Sequence, residues 1–215
     1  MEMRVNIYGF PHKGIRNGLG KLSFLIGKLN LENTTELEKV SEISKDLKEL
    51  LSLHLHSEEN HVLTNLEAKV PGSTTHNHED HEKMEQLEHE MSDAIELLLE
   101  HKDMPHLVNA YNKVNYFIRE YFRHMDEEEQ EINQVIWDNF NDGEILEWQG
   151  KILSELTPEQ FFKWFKYIIP SLTPFEQQIM LGGFKENAPA EAYNHTIAGL
   201  ESYVTQDQFT FIKSI

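Results

Sequence analysis

Two pairs of residues carry the chemistry of this chain. In the stretch 121–132, YFRHMDEEEQEI, His124 and Glu128 stand four apart and fall inside an apolar stripe of Val114, Phe117, Tyr121, Met125, Ile132 and Val135 at helical spacing. A glutamate turned into a helix core is unfavourable unless something there neutralises it, and a histidine one turn earlier supplies a second metal-type ligand on the same face. His54 and Glu58 repeat the arrangement within the stripe Leu37, Val40, Ile43, Leu47, Leu50, Leu51 and Val62. One such pair alone reads more often as a core histidine beside a solvated acidic face. The repetition is what points to a bound cation.

Two more histidines complete the pattern. His12 opens a stripe of Ile15, Leu19, Leu22, Ile26 and Leu29, and His81 opens one of Met84, Leu87, Met91, Ala94, Ile95 and Leu98. His12 and His54 are 42 positions apart and His81 and His124 are 43 apart; the first midpoint is Asn33, inside the break at 30–35, and the second lies between Lys102 and Asp103, at the edge of the break at 103–105. Residues equally far from the turn of a helix hairpin lie level, so each pair meets across its hairpin. Packing the two hairpins into a four-helix bundle would place His12, His54, Glu58, His81, His124 and Glu128 in one layer of the core.

Composition narrows the chemistry. Nineteen Lys and Arg against 37 Asp and Glu give a net charge of -18, which repels nucleic acid and anionic membranes. There is no cysteine, so thiolate catalysis, iron-sulfur clusters and Cys-type zinc sites are excluded, while 12 His leave imidazole and carboxylate as the metal ligands. No apolar run approaches the roughly 20 residues of a spanning helix, and a cytoplasmic protein is expected. Six His4Glu2 ligands exceed what one tetrahedral zinc takes. Two iron or two manganese ions sharing the carboxylates fit best, with zinc possible, and their open positions suit O2, NO or peroxide.

The expected fold class is all-α: an up-down-up-down four-helix bundle over 1–143 and a helical extension over 144–215. Thr35 with Glu38 is expected to cap the second helix and Asp103 the fourth. Gly14, Gly18 and Gly20 weaken the first helix unless a neighbour packs closely there. In the extension, Thr157-Pro158, Thr173-Pro174 and Thr205 read as helix starts, with bends at Gly182-Gly183 and Pro189. Phe161, Phe162, Trp164, Phe165 and Tyr167 spread around two faces of one helix, which implies packing on the bundle plus a homodimer contact.

The segments His12-x-x-Ile15-Arg16, His54-x-x-x-Glu58-Glu59, His81-x-x-Met84 and His124-x-x-x-Glu128-Glu129 resemble hemerythrin-like (HHE) cation-binding proteins over roughly residues 8–140. The resemblance implies a non-haem di-iron centre bridged by two glutamates. Oxygen carriers of that family have HxxxH on the third helix and an aspartate five residues after the last histidine. Here Glu85 follows His81 at +4 and Glu128 follows His124 at +4. The set is more similar to bacterial di-iron proteins linked to repair of iron centres after nitrosative or oxidative damage, though their Cys-containing N-terminal domain is not seen here. Rival expectations are a non-catalytic iron- or oxygen-sensing module, and an interaction protein whose metal is structural.

Around the six ligands, Glu85 and His78 are candidates for a further ligand, and Tyr121 for a redox-active neighbour or plain core. Glu59, Glu127 and Glu129 read as a solvated acidic rim. His56, His61, His76, His89, His101, His106 and His195 read as solvent-facing or locally hydrogen-bonded.

Overall fold

The computed structural model describes residues 4–215; residues 1–3, where the first expected domain begins, lie outside the described residues. Helix α1 (Gly9–Gly27) starts where the Asn6 side chain accepts the backbone N–H groups of Tyr8 and Gly9, with Pro11 in the first turn. Helix α2 (Thr34–Ser57) is capped by Asn33 and not by Thr35: Asn33 Oδ1 accepts from the N–H of Thr35 and of Glu36. Asn is the stronger cap, because its carbonyl reaches the free N–H groups without being tied into the helix itself. A π-helical turn, Glu58–Leu63, joins α2 to α3 (Thr64–Lys69).

Helix α4 (Thr75–His101) ends at Lys102, whose φ of 52° breaks it, and Asp103 caps α5 (Met104–Glu127) as expected. A second π-helical turn, Glu128–Ile132, leads into α6 (Asn133–Asn139). The remainder is α7 (Asp142–Glu155), α8 (Pro158–Ile168), α9 (Pro174–Asn187), α10 (Ala190–Gly199) and α11 (Gln206–Lys213). Thr157, Thr173 and Thr205 each form the capping box their sequences suggest. Gly182-Gly183 does not bend the chain. Helix α9 runs through both, since fully buried Leu181 and the ring of Phe184 anchor it on either side, and the break comes only at Ala188-Pro189.

Helices α1, α2, α4 and α5 contact one another in a closed ring, α1 to α2, α2 to α4, α4 to α5 and α5 to α1, as a bundle requires. The bundle core continues without a break into Trp164, Phe165, Tyr167 and Ile168 of α8, and on to Leu181, Leu200 and Ile212. Two glycines of α1 allow this approach. A Cβ on Gly14 would lie 2.7 Å from Ile168 Cγ1, and one on Gly18 would lie 2.7 Å from Leu47 Cδ2 and 3.1 Å from the Tyr167 ring. Gly20 meets nothing within 4 Å. Gly14→Ala is therefore expected to lower stability by about 1–3 kcal/mol through overpacking, while Gly20→Ala raises it by about 0.5–1 kcal/mol through helix propensity. Urea unfolding of the two variants beside the parent checks the contrast; equal shifts would contradict it.

The other face of α8 is also filled from within the chain: Phe161 packs on Phe184 at 4.9 Å between centroids, and Phe162 on Tyr203 at 6.3 Å. Both aromatic faces of α8 thus pack against other parts of the chain. A smaller core of Tyr8, Leu63, Leu66, Ile136, Phe140, Ile145 and Trp148 gathers around the two π-helical turns and brings α7 with it. No described helix is long and apolar enough to cross a membrane.

Candidate metal centre

Both π-helical turns begin on a glutamate, Glu58 and Glu128, at the end of an otherwise regular helix. The widened turn shifts the register by part of a residue, so that consecutive carboxylates can serve different partners; such turns cluster at functional sites. Glu58 and Glu128 point inward and are almost wholly buried, whereas Glu59 and Glu129 sit at the edge.

The six residues singled out from the sequence converge. His12, His54, Glu58 and Glu128 form one buried tetrad, and Glu58, His81, His124 and Glu128 form another. Within each tetrad one ligand atom per residue lies within 4.8 Å of all the others. The level pairing of the histidines is direct: His12 Nε2 is 3.0 Å from His54 Nε2, and the rings of His81 and His124 lie 5.0 Å apart. Glu128 approaches three imidazoles, at 3.4 Å from His12 and 3.5 and 3.3 Å from His81 and His124, while Glu58 lies 3.2 Å from His54 and 3.7 Å from His81.

Two observations show that a cation fits. Glu58 Oε1 and Glu128 Oε2 are buried and accept no hydrogen bond, a costly state for a carboxylate unless something else neutralises it. The imidazole nitrogens are also prearranged. His12 Nδ1 hydrogen-bonds Glu129 at 2.8 Å, His81 Nδ1 hydrogen-bonds Glu59 at 2.5 Å, and His124 Nδ1 lies 3.4 Å from Asp80. A proton held on Nδ1 leaves the Nε2 lone pair facing inward, toward the carboxylates.

The electrostatics agree. Burial, and next the neighbouring His12, push His54 well below the usual imidazole range, and burial lowers His124 too, which favours the neutral form a metal would need. Burial also lowers His12 and His81, but the carboxylates beside them, Glu128 with Glu129 and Glu128 with Glu59, more than offset it and the net shift is upward.

The sequence reading of Glu59 and Glu129 as solvated rim is corrected by these contacts. Their signal was visible, since each HxxxE is followed by a second Glu. Its meaning depended on the π-helical turn, which no spacing rule announces. Arg16 fixes Glu129 at 2.6 Å, and His78 holds Glu59 at 2.8 Å, so His78 acts on the centre through Glu59 and does not join the ligand cluster. Glu127 does stay on the rim, paired with Arg123. Glu85 is exposed and outside both tetrads. Tyr121 is buried with its ring 5.5 Å from His124. Two neighbours went unnoticed in the sequence: Tyr8, 5.2 Å from the His12 ring, and Trp164, edge-on to His54 at 6.3 Å.

Outer carboxylates of this kind set ligand orientation, and their loss costs about 10–100-fold in metal affinity. Glu59→Gln and Glu129→Gln are each expected to weaken metal binding by that factor without loss of fold, read by competition with a chromophoric chelator. Unchanged affinity in both would remove them from the site.

A sequence model of the hemerythrin HHE cation-binding domain matches residues 5–136, which runs from α1 into α6 and includes all six converging residues. No curated protein and no solved structure matches the chain. The match covers more than half of the chain and agrees with the helical bundle and its buried His and Glu clusters; the protein belongs to the hemerythrin HHE cation-binding family.

Proposed function

We propose that the chain is a non-haem di-iron protein that takes up a small molecule, O2, NO or peroxide, at a centre held by His12, His54, Glu58, His81, His124 and Glu128. The observation that carries this reading is the sharing of Glu58 and Glu128 between two otherwise separate histidine pairs. Two imidazoles and two shared carboxylates at each position give a donor set suited to iron, and leave positions open for an exogenous ligand. Bound there, a pair of irons supplies reversible electron transfer to that ligand. The chain's own part is to favour the neutral form of His54 and His124, to aim the imidazoles inward, to keep two carboxylates dry, and to exclude bulk water from His12 and His54, which are 0 % and 5 % exposed.

An interaction protein with a merely structural metal has less support, because the aromatic surface that suggested it is consumed by packing inside the chain. The test is metal content on aerobically and anaerobically purified protein, with the near-UV spectrum alongside and His54→Ala as control. Close to two irons per chain, with a charge-transfer band that the variant lacks, is the expected result. A folded protein that takes up no iron, manganese or zinc on reconstitution would overturn the reading.

A further inference from the structure

The two histidine pairs are chemically alike but do not face the same surroundings. A cavity of about 160 Å³ lies between α2, α4 and α5, and its inner wall includes Glu58, His81, His124, Met84, Phe117 and Tyr121. A smaller one of about 110 Å³, beside Asn77 and Asp80, also abuts His124. Neither reaches His12 or His54. That half is covered instead, by Tyr8 over His12 and by Trp164 of the extension against His54, and α8 lies tight on α1 because Gly14 and Gly18 leave room for it.

We propose that the small molecule enters through the larger cavity and binds over the His81–His124 half alone, so that the C-terminal extension makes the centre one-sided. This rests on the functional reading given above. Glu85 and Glu88, with Lys48 and His89, stand where the cavity meets solvent, and Leu51 and Met84 narrow it toward the centre. The occupant is a small neutral molecule. The chain's net charge of -18 and the two carboxylates at the mouth oppose anions, while the apolar throat favours O2, NO or hydrogen peroxide over charged ions. A volume about ten times what one water needs admits such a molecule with no opening of the bundle. Tyr121, whose hydroxyl is kept protonated by burial, lines the same wall and is available as a donor.

The absence of cysteine makes access directly measurable. Single variants Met84→Cys and Leu51→Cys, on the cavity wall, and Ile15→Cys, equally buried on the covered side, are reacted with methyl methanethiosulfonate in metal-free protein. Reaction at least 10-fold faster at 84 and 51 than at 15 is expected; equal rates would overturn the one-sided cavity. In iron-loaded, reduced protein, Met84→Trp fills the throat and is expected to slow NO binding at least 10-fold in stopped flow, with iron content unchanged. Leu55→Trp, at a half-buried position on the same wall, is the second filling variant should Met84→Trp fail to fold. Wild-type NO rates in a folded, loaded filling variant would overturn the proposal. If the loaded wild-type centre ignores NO, the functional reading fails, and the thiol rates alone then decide whether the one-sided cavity stands.

Discussion

Glu58→Gln is expected to make the metal-free protein more stable at pH 7 than the parent while lowering its metal affinity at least about 100-fold. The Glu58 carboxyl is pushed well above its usual range, first by burial and then by the charge of Glu128. Glu128, despite its burial, is held well below the range by His124, His12 and His81, which surround it more closely than they do Glu58. In the folded, metal-free protein the pair therefore keeps one proton, and keeps it on Glu58. Above the unfolded carboxyl value of about 4.3 the unfolded chain has lost that proton and the folded one has not. The folded state then binds more protons than the unfolded state, so stability falls by about 1.4 kcal/mol per pH unit until the folded-state value is reached.

Gln cannot lose a proton, so this slope vanishes in the variant. The raised His12 and His81 add a fall of the same sign above the imidazole range, and the lowered His54 and His124 oppose it below. Subtracting the variant's stability curve from the parent's between pH 5 and 8 isolates Glu58. A flat difference, or a variant that still loads metal as the parent does, would show that Glu58 is not the proton-bearing, metal-sharing carboxylate. The opposed signs also distinguish a ligand from a merely structural residue: the group that weakens the empty fold is the one the cation needs.

The bundle and the six converging residues were legible in the sequence because they obey local periodicity and one geometric rule. Apolar residues recur every three or four positions, and partners across a hairpin are equidistant from its turn, so the midpoints at Asn33 and at Lys102–Asp103 were enough to level the histidines. What escaped the reading depends on longer-range or irregular structure. Glu59 and Glu129 reach His81 and His12 only because the helix widens after Glu58 and Glu128, and a 3.6-residue pattern turns both outward. Trp164 sits beside His54 though 110 positions separate them in the chain, and no spacing rule links them. The glycines were a partial case. Their low helix propensity signalled a close neighbour, but not that the neighbour would be α8 at Gly14 and Gly18 and empty space at Gly20.

Asp46→Ala is expected to cost about 3 kcal/mol and to loosen the extension from the bundle. Asp46 of α2 accepts from Lys166 Nζ at 2.7 Å and from the Tyr167 hydroxyl at 3.0 Å, and all three groups are buried where α8 meets α2. Lys166 keeps its charge there because Asp46 and Glu42 outweigh the effect of burial, and the Tyr167 hydroxyl stays protonated through burial and the adjacent Asp46. Removing the carboxylate leaves a buried ammonium with only the more exposed Glu42 and a buried hydroxyl with no acceptor, which is worse than never having had the pair. The double variant Asp46→Ala with Lys166→Met, which replaces the charge by an apolar chain of similar length, should recover most of the loss. Because the same helix holds Trp164 against His54, the single variant should also release metal to a chelator faster, and the double variant should restore the parent rate. Unfolding free energies within about 0.5 kcal/mol of the parent would mean that α8 is held by its apolar contacts alone. A destabilised single variant with unchanged metal release would mean that the extension stabilises the fold without guarding the His12–His54 half.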